Sequence, residues 1–238
     1  MQITEIYRSL QGESSYAGLP CIFVRLTGCN LRCSWCDSEY SFTGGQRLNQ
    51  DEVMARVRAL TITSASGETA GSGAAAKLVE ITGGEPLLQE SEVTPLMESL
   101  LAERYRVLLE TSGERPLERV PAAVIKIVDV KCPGSAEGGT FRMENLRALN
   151  PHDEVKFVLS GRADYEFARQ FVRKQQLGGV AAVIFSPAFA KSAQGARDTS
   201  HCLLDPRELA EWILADGLPV RLGLQIHKFI WDPAQKGV

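Results

Sequence analysis

The chain has 238 residues, 44% of them hydrophobic, and a formal net charge of -3 at pH 7; that length allows one domain with a large core, as in α/β barrels. The acidic balance argues against a surface devoted to nucleic-acid phosphates. No apolar run reaches the roughly 18 residues that span a bilayer, and the opening MQITEIYRSLQGE has neither a basic start nor an apolar stretch, so a cytoplasmic protein with a small-molecule substrate, no nucleic acid and no membrane partner is expected.

Apolar, β-branched stretches predict strands at 22–27, 78–82, 107–111, 124–130, 154–160, 180–185 and 220–225. Apolar residues at helical spacing predict helices over 51–60, 92–103, 164–175 and 206–215. This alternation implies right-handed crossovers and a mainly parallel sheet, with a curved sheet or partial barrel preferred over an open doubly wound one. Residues 61–76, TITSASGETAGSGAAA, are too small and polar to order themselves and read as a flexible insertion within a single domain 1–238. Residues 189–201 look similar, and the last residues, about 234–238, read as a loose tail.

Chemistry on parallel α/β folds gathers at the C-terminal ends of strands. Nearly every predicted strand ends on a polar group there: Thr27-Gly28-Cys29, Thr82-Gly83-Gly84-Glu85-Pro86, Glu110-Thr111-Ser112-Gly113, Asp129-Val130-Lys131, Ser160-Gly161, Ser186-Pro187 and Gln225-Ile226-His227-Lys228. Loop composition explains Ser160-Gly161 well and Gly83-Gly84-Glu85-Pro86 poorly.

Six cysteines in a chain with no export signal point to thiols or metal ligands. Three of them, Cys29, Cys33 and Cys36, stand at CxxxCxxC spacing directly after the first predicted strand. Iron-sulfur clusters normally take four cysteines, so three close ones imply a cubane with one iron reserved for a group other than protein. The alternatives are buried core cysteines, which a polar loop does not suit, and a zinc knuckle completed by Cys21 or a distant His, but a five-residue strand places Cys21 near the opposite strand end.

CxxxCxxC after strand one and Gly-Gly-Glu-Pro after strand two together resemble the radical S-adenosylmethionine (SAM) superfamily. The resemblance implies a 4Fe-4S cluster on Cys29, Cys33 and Cys36 whose open iron is chelated by SAM. Reductive cleavage of SAM then gives a 5'-deoxyadenosyl radical that abstracts hydrogen from a substrate carbon. Within the superfamily, the segments Glu5-Ile6-Tyr7-Arg8-Ser9-Leu10-Gln11-Gly12-Glu13, Asp129-Val130-Lys131-Cys132-Pro133-Gly134, Asp153-Glu154-Val155-Lys156-Phe157-Val158 and Gln225-Ile226-His227-Lys228 resemble the 7-carboxy-7-deazaguanine synthase family, from residue 5 to about 233. That family has a modified, incomplete (β/α) barrel and forms homodimers. It converts 6-carboxy-5,6,7,8-tetrahydropterin to 7-carboxy-7-deazaguanine with loss of ammonia, for queuosine and related 7-deazapurines. It uses SAM catalytically, binds Mg2+ and implies an electron donor such as flavodoxin or ferredoxin.

Carried over residue by residue, the resemblance implies SAM contacts at Trp35, Cys36, Asp37, Gly84, Ser112, Asp129, Val130, Lys131, Ser186 and Pro187. It implies substrate contacts at Leu10, Gln11, Gly12, Glu13, Arg25, Thr82, His227 and Pro233, and Mg2+ at Ser38, where the family commonly has threonine. Strand alternation is compatible with Arg25 facing inward, where a pterin carboxylate or an internal acidic residue would pair with it. The amide of Gln11 and the carboxylate of Glu13 match the donors and acceptors of an aminopyrimidinone edge. Asp129 and Lys131 equally suit an internal ion pair, Ser186-Pro187 a strand terminator, and Asp37-Ser38 a capping turn. Radical chemistry offers no obvious acid-base pair here, so no catalytic acid or base is assigned. A glycyl-radical activase and an iron-sulfur sensing module share the cysteine spacing, but the 10–13 segment and Arg25 favour a small carboxylated substrate.

Overall fold

The computed structural model describes residues 1–61, 77–191, 199–232 and 235–238. Of the expected insertion 61–76, all but Thr61 lies outside the described residues, as does Pro233. The strands are β1 (Gln2–Leu10), β2 (Pro20–Leu26), β3 (Gln46–Arg47), β4 (Leu78–Gly83), β5 (Arg106–Thr111), β6 (Ile125–Asp129), β7 (Glu154–Leu159), β8 (Ala182–Pro187) and β9 (Arg221–Leu222). Helices α1 (Gln50–Leu60), α2 (Glu90–Ala102), α3 (Arg162–Gln175), α4 (Pro206–Asp216) and the short α5 (His227–Ile230) lie between and after them.

The nine strands among the described residues form one sheet in the order β3-β1-β2-β4-β5-β6-β7-β8-β9. From β2 to β9 every pairing is parallel. Because the order of the parallel strands β2-β4-β5-β6-β7-β8-β9 never reverses, each step between them runs in the same direction, which curls the sheet instead of winding helices onto both faces. The result is an unclosed barrel, in agreement with the sequence preference.

Two expectations fail here. β1 was not anticipated: its register shifts between Ile3 and Glu5, which breaks simple alternation and puts Glu5 and Tyr7 opposite Arg25 and Phe23. The expected strand 220–225 shrinks to Arg221–Leu222, because the chain turns after Gly223 toward α5. The two ends of the 189–201 segment are bonded to each other. Ala190 N–H donates to His201 O (2.9 Å) and Leu203 N–H to Ala188 O (2.7 Å), while 192–198 lie outside the described residues.

Strand phase sorts the side chains. Val24, Val79, Ile81, Val107, Leu109, Val128, Val155 and Phe157 point outward into the main core under the helices. Cys21, Phe23, Leu78, Leu108, Ile125 and Ile127 form a second, smaller apolar cluster. Two residues further along the same inward phase come Arg25, Glu80, Glu110 and Asp129, with Thr82 two beyond Glu80, so the barrel interior is apolar at the N-terminal strand ends and polar at the C-terminal ends.

Candidate active site

A cavity of about 250 Å³ opens over that polar layer. The loop after β2 contributes Cys29, Cys33, Trp35, Cys36, Asp37 and Ser38 to its wall. Cys21 and Cys132 are buried in apolar surroundings instead, which removes them as ligands. The cysteine loop is held by contacts that do not use its sulfurs: Ser34 N–H to Ser135 O (2.9 Å), Arg32 N–H to Glu137 Oε1 (2.5 Å) and Asn30 Nδ2 to Glu114 Oε1 (2.8 Å). Among the described residues no three His, Cys, Asp or Glu side chains gather around a single ion position. Burial raises the thiol pKa of Cys29 and of Cys33, so cluster assembly must displace protons.

The Gly-Gly-Glu-Pro turn has structural reasons for Gly84 and Glu85. A Cβ at Gly84 would lie 2.3 Å from Gly28 O and 2.6 Å from Cys29 Cβ, so the turn packs its bare backbone against the cysteine loop. The buried Glu85 carboxylate accepts from Thr111 Oγ1 (2.8 Å), Ser112 N (2.9 Å), Ser112 Oγ (2.7 Å) and Leu87 N (3.0 Å). It thereby fixes Ser112 on the cavity wall. Asp129 Oδ2 accepts from Lys131 Nζ (2.7 Å), the internal ion pair the sequence allowed, while Oδ1 is buried with no protein partner. A cavity-wall carboxylate oxygen awaiting a donor, beside a glycine cradle and three thiols, fits a cluster with a polar, amine- and hydroxyl-bearing cofactor.

At the substrate end, Lys156 is the central group. Its ammonium, on a side chain 2% exposed, pairs with Glu13 Oε2 (2.7 Å) and with Glu110. Burial opposes the charge on Glu13, but Lys156 and then His227 outweigh it and hold the Glu13 pKa down at about 2. Glu13 Oε1 accepts from Gln225 Nε2 (2.9 Å), Gln225 Oε1 accepts from Lys228 Nζ (2.9 Å), and Lys228 Nζ pairs with Asp37 (2.7 Å). A continuous polar chain therefore runs from the cysteine loop, through the segment before α5, to β7 and β5. Burial lowers the pKa of His227, which stands 3.9 Å from Glu13 and is neutral at pH 7.

Arg25 has the internal acid partner that the sequence left open, yet it also lines the cavity. Nε donates to Glu5 Oε1 (2.8 Å) and Nη2 to Tyr7 Oη (2.9 Å), and Tyr40 Oη also donates to Glu5 Oε1 (2.7 Å). Nη1 has no hydrogen-bond partner among the described residues. Thr82 Oγ1 lies 3.4 Å from Glu110 Oε2.

The cavity brings together Leu10, Gln11, Gly12, Glu13, Arg25, Cys29, Cys33, Trp35, Cys36, Asp37, Ser38, Thr82, Gly84, Ser112, Asp129, Lys131 and His227. Three expected residues are not on its wall. Val130 points into the main core. Ser186 is 1% exposed, close enough to Gly223 that a Cβ there would lie 2.7 Å from its Oγ. Pro187, the last residue of β8, is buried with it. From the tail, Gln235, Gly237 and Val238 line the cavity, and Lys236 Nζ lies 4.4 Å from the centre of the Tyr40 ring. Glu80, Glu110, Lys156, Gln225 and Lys228 received no role from sequence. The available signal was a charge at the inward phase of a strand that is otherwise apolar, as in Leu78-Val79-Glu80-Ile81 and Val155-Lys156-Phe157-Val158.

A 7-carboxy-7-deazaguanine synthase from Koribacter versatilis (strain Ellin345) is 65% identical over 239 residues, with 100% of both chains covered. The chain belongs to the 7-carboxy-7-deazaguanine synthase family. A second member, from Chlorobaculum tepidum (strain ATCC 49652 / DSM 12025 / NBRC 103806 / TLS), is 40% identical over 241 residues and covers 100% of this chain and 97% of its own. The crystal structure of QueE from Escherichia coli shares the fold, with a TM-score of 0.68 at 22% identity over 94% of this chain and 92% of that one. No family model matches. Membership makes the chain a radical SAM enzyme of queuosine biosynthesis, with a 4Fe-4S cluster, SAM, a small-molecule substrate and a need for a reductant. No helix among the described residues is long and apolar enough to cross a membrane.

Gly84→Ala in this enzyme is expected to lose about 1–3 kcal/mol of stability, because the added methyl meets backbone that cannot yield cheaply. The same shift of the Gly28-Cys29 backbone is expected to lower the iron content of reconstituted protein. Urea unfolding and iron analysis check both.

Proposed function

We propose that the enzyme converts 6-carboxy-5,6,7,8-tetrahydropterin to 7-carboxy-7-deazaguanine, with the substrate lying between the cysteine loop and the Glu13-Lys156-Glu110 cluster. The observation that carries this reading is that one cavity contains both the three thiols and a carboxylate-ammonium array facing a guanidinium. When bound, the cluster and SAM supply the radical that removes a substrate hydrogen. In this reading Arg25 pairs with the substrate carboxylate, and Glu13 and backbone atoms of 10–12 accept from and donate to the pterin edge. Thr82 and His227 pack beside the ring. Trp35, Asp37, Gly84, Ser112, Asp129 and Lys131 hold SAM.

Mg2+ belongs to the proposal through Ser38. This residue stands at the N-terminus of a short helical turn, but its hydroxyl makes no capping bond and lies 3.8 Å from Cys36 Sγ on the cavity wall. A hard ion that keeps most of its waters needs few protein ligands there. Ser38→Ala is expected to raise the Mg2+ concentration for half-maximal turnover by about tenfold or more, read from a Mg2+ titration. A single domain over 1–238, a homodimer, a cytoplasmic site of action and a flavodoxin or ferredoxin donor complete the proposal.

The test is anaerobic incubation of iron-reconstituted protein with SAM, Mg2+, dithionite and the carboxylated tetrahydropterin, followed by mass spectrometry. Ammonia and 7-carboxy-7-deazaguanine are expected. SAM cleavage without a pterin-derived product would overturn the substrate, and a chain that binds only zinc would overturn the chemistry.

A further inference from the structure

We propose that Glu80 is a positioning residue of the substrate site, acting through Gln11 to hold the Gly12-Glu13 turn in its binding shape. Sequence reasoning gave the Gln11 amide to the substrate, but both of its ends are engaged inside the protein. Gln11 Oε1 accepts from Glu13 N (2.8 Å) and Ser14 N (2.9 Å), and Nε2 donates to Glu80 Oε2 (3.0 Å). Two backbone donors on the oxygen fix the sense of the amide, so its nitrogen must meet an acceptor. Glu80 is that acceptor, 1% exposed at the centre of β4, between β2 and β5.

The turn is gripped from its other side as well. Ile226 N–H donates to Gly12 O (3.0 Å), and a Cβ on Gly12 would lie 2.2 Å from His227 Nδ1. Backbone placement of Glu13 in turn aims its carboxylate between Gln225 and Lys156. Removing the acceptor at Glu80 leaves a buried N–H without a partner and frees the Gln11 side chain to leave the turn. Glu80 thus sets the pose of Glu13 from beneath, with substrate recognition carried by Glu13 and the backbone of the turn. The inference rests on the proposed substrate site only for its kinetic consequence.

Glu80→Leu and Glu80→Gln separate this role from simple packing. Gln supplies a carbonyl oxygen in place of the lost carboxylate oxygen; Leu supplies none. Glu80→Leu is expected to raise the pterin KM about tenfold with kcat within about threefold, and to leave iron content unchanged, whereas Glu80→Gln restores KM to within about threefold of the parent. Hydrogen exchange at the Glu13 and Ser14 amides is expected to accelerate about tenfold in Glu80→Leu and not in Glu80→Gln. If Glu80→Leu does not fold, Gln11→Leu breaks the same link from the other end, with the same expected KM and exchange changes.

Parent KM and parent exchange in the Leu variants would overturn the proposal. So would equal damage from Glu80→Gln and Glu80→Leu. If the parent does not turn over the pterin at all, the substrate reading has failed, while the exchange measurement still decides the role of Glu80.

Discussion

Cys33→Ala is expected to reduce turnover by more than about 10³-fold, as loss of one member of a unit does, while leaving the chain folded. The thiol lines the cavity in a loop that stays in place through Asn30, Arg32 and Ser34. None of those bonds passes through the Cys33 sulfur, and Cys33 belongs to neither apolar cluster. Its replacement therefore removes a proposed cluster ligand without opening a core cavity, and the expected stability change is within about 0.5 kcal/mol, as at other sites away from the core. Iron and sulfide analysis after anaerobic reconstitution, together with urea unfolding, checks the two halves separately. Retained product formation refutes the ligand assignment, and a collapsed unfolding transition refutes the statement that the loop is held independently of its sulfurs.

Lys156→Met is expected to be the most damaging single change away from the cluster. The ammonium is 2% exposed and bridges Glu13 and Glu110, with Asp129 Oδ2 4.0 Å away. A methionine of similar length fills the space but leaves carboxylates facing one another without a cation, which costs about 3–5 kcal/mol when a buried pair is broken from one side. Glu80 feels the loss too, since Lys156 opposes the burial and the Glu110 charge that push its pKa upward. Substrate binding is expected to fall by at least about 10²-fold, because Glu13 loses one of the two groups that aim it.

The acid dependence has a definite sign. Lys156 holds the folded-state pKa of Glu13 at about 2, below its ordinary value of 4.5. The stability this gives is fully present above the unfolded value and is lost as pH falls from there toward 2. The gap between parent and Lys156→Met is therefore expected to be widest near neutrality and to narrow below pH 4.5. Urea midpoints measured from pH 7 down to 4 test this, and a gap that stays constant over that range would show that the lysine acts by packing alone. Combining Lys156→Met with Glu110→Gln removes one of the stranded charges and is expected to recover part of the loss.

Local chemistry made the cluster site legible. Three cysteines within eight residues and a Gly-Gly-Glu-Pro turn are short-range patterns, and their spacing alone limits what they hold. Even so, the reason for Glu85 appeared only when Thr111 and Ser112 came within reach of its carboxylate. The surroundings of Gln11 were out of reach of the sequence in a different way. Its residue type suits a pterin edge, but backbone donors two and three residues later took the amide oxygen and Glu80 took the nitrogen. The tail was read as loose because its composition carries no periodicity; its Lys236 Nζ lies 4.4 Å from the centre of the Tyr40 ring, far away in the chain.

By itself the sequence determined the βα alternation, the thiol loop and the polar strand ends, because each depends on residues that are neighbours along the chain. Tertiary structure alone decided which charges share the cavity. Lys156 meets Glu13 across 143 positions and Glu110 across 46, and no local pattern specifies such a meeting. Parallel strands gain their neighbours through long crossovers, so the partner of an inward-facing charge is set by strand order and register, and only the folded sheet fixes both.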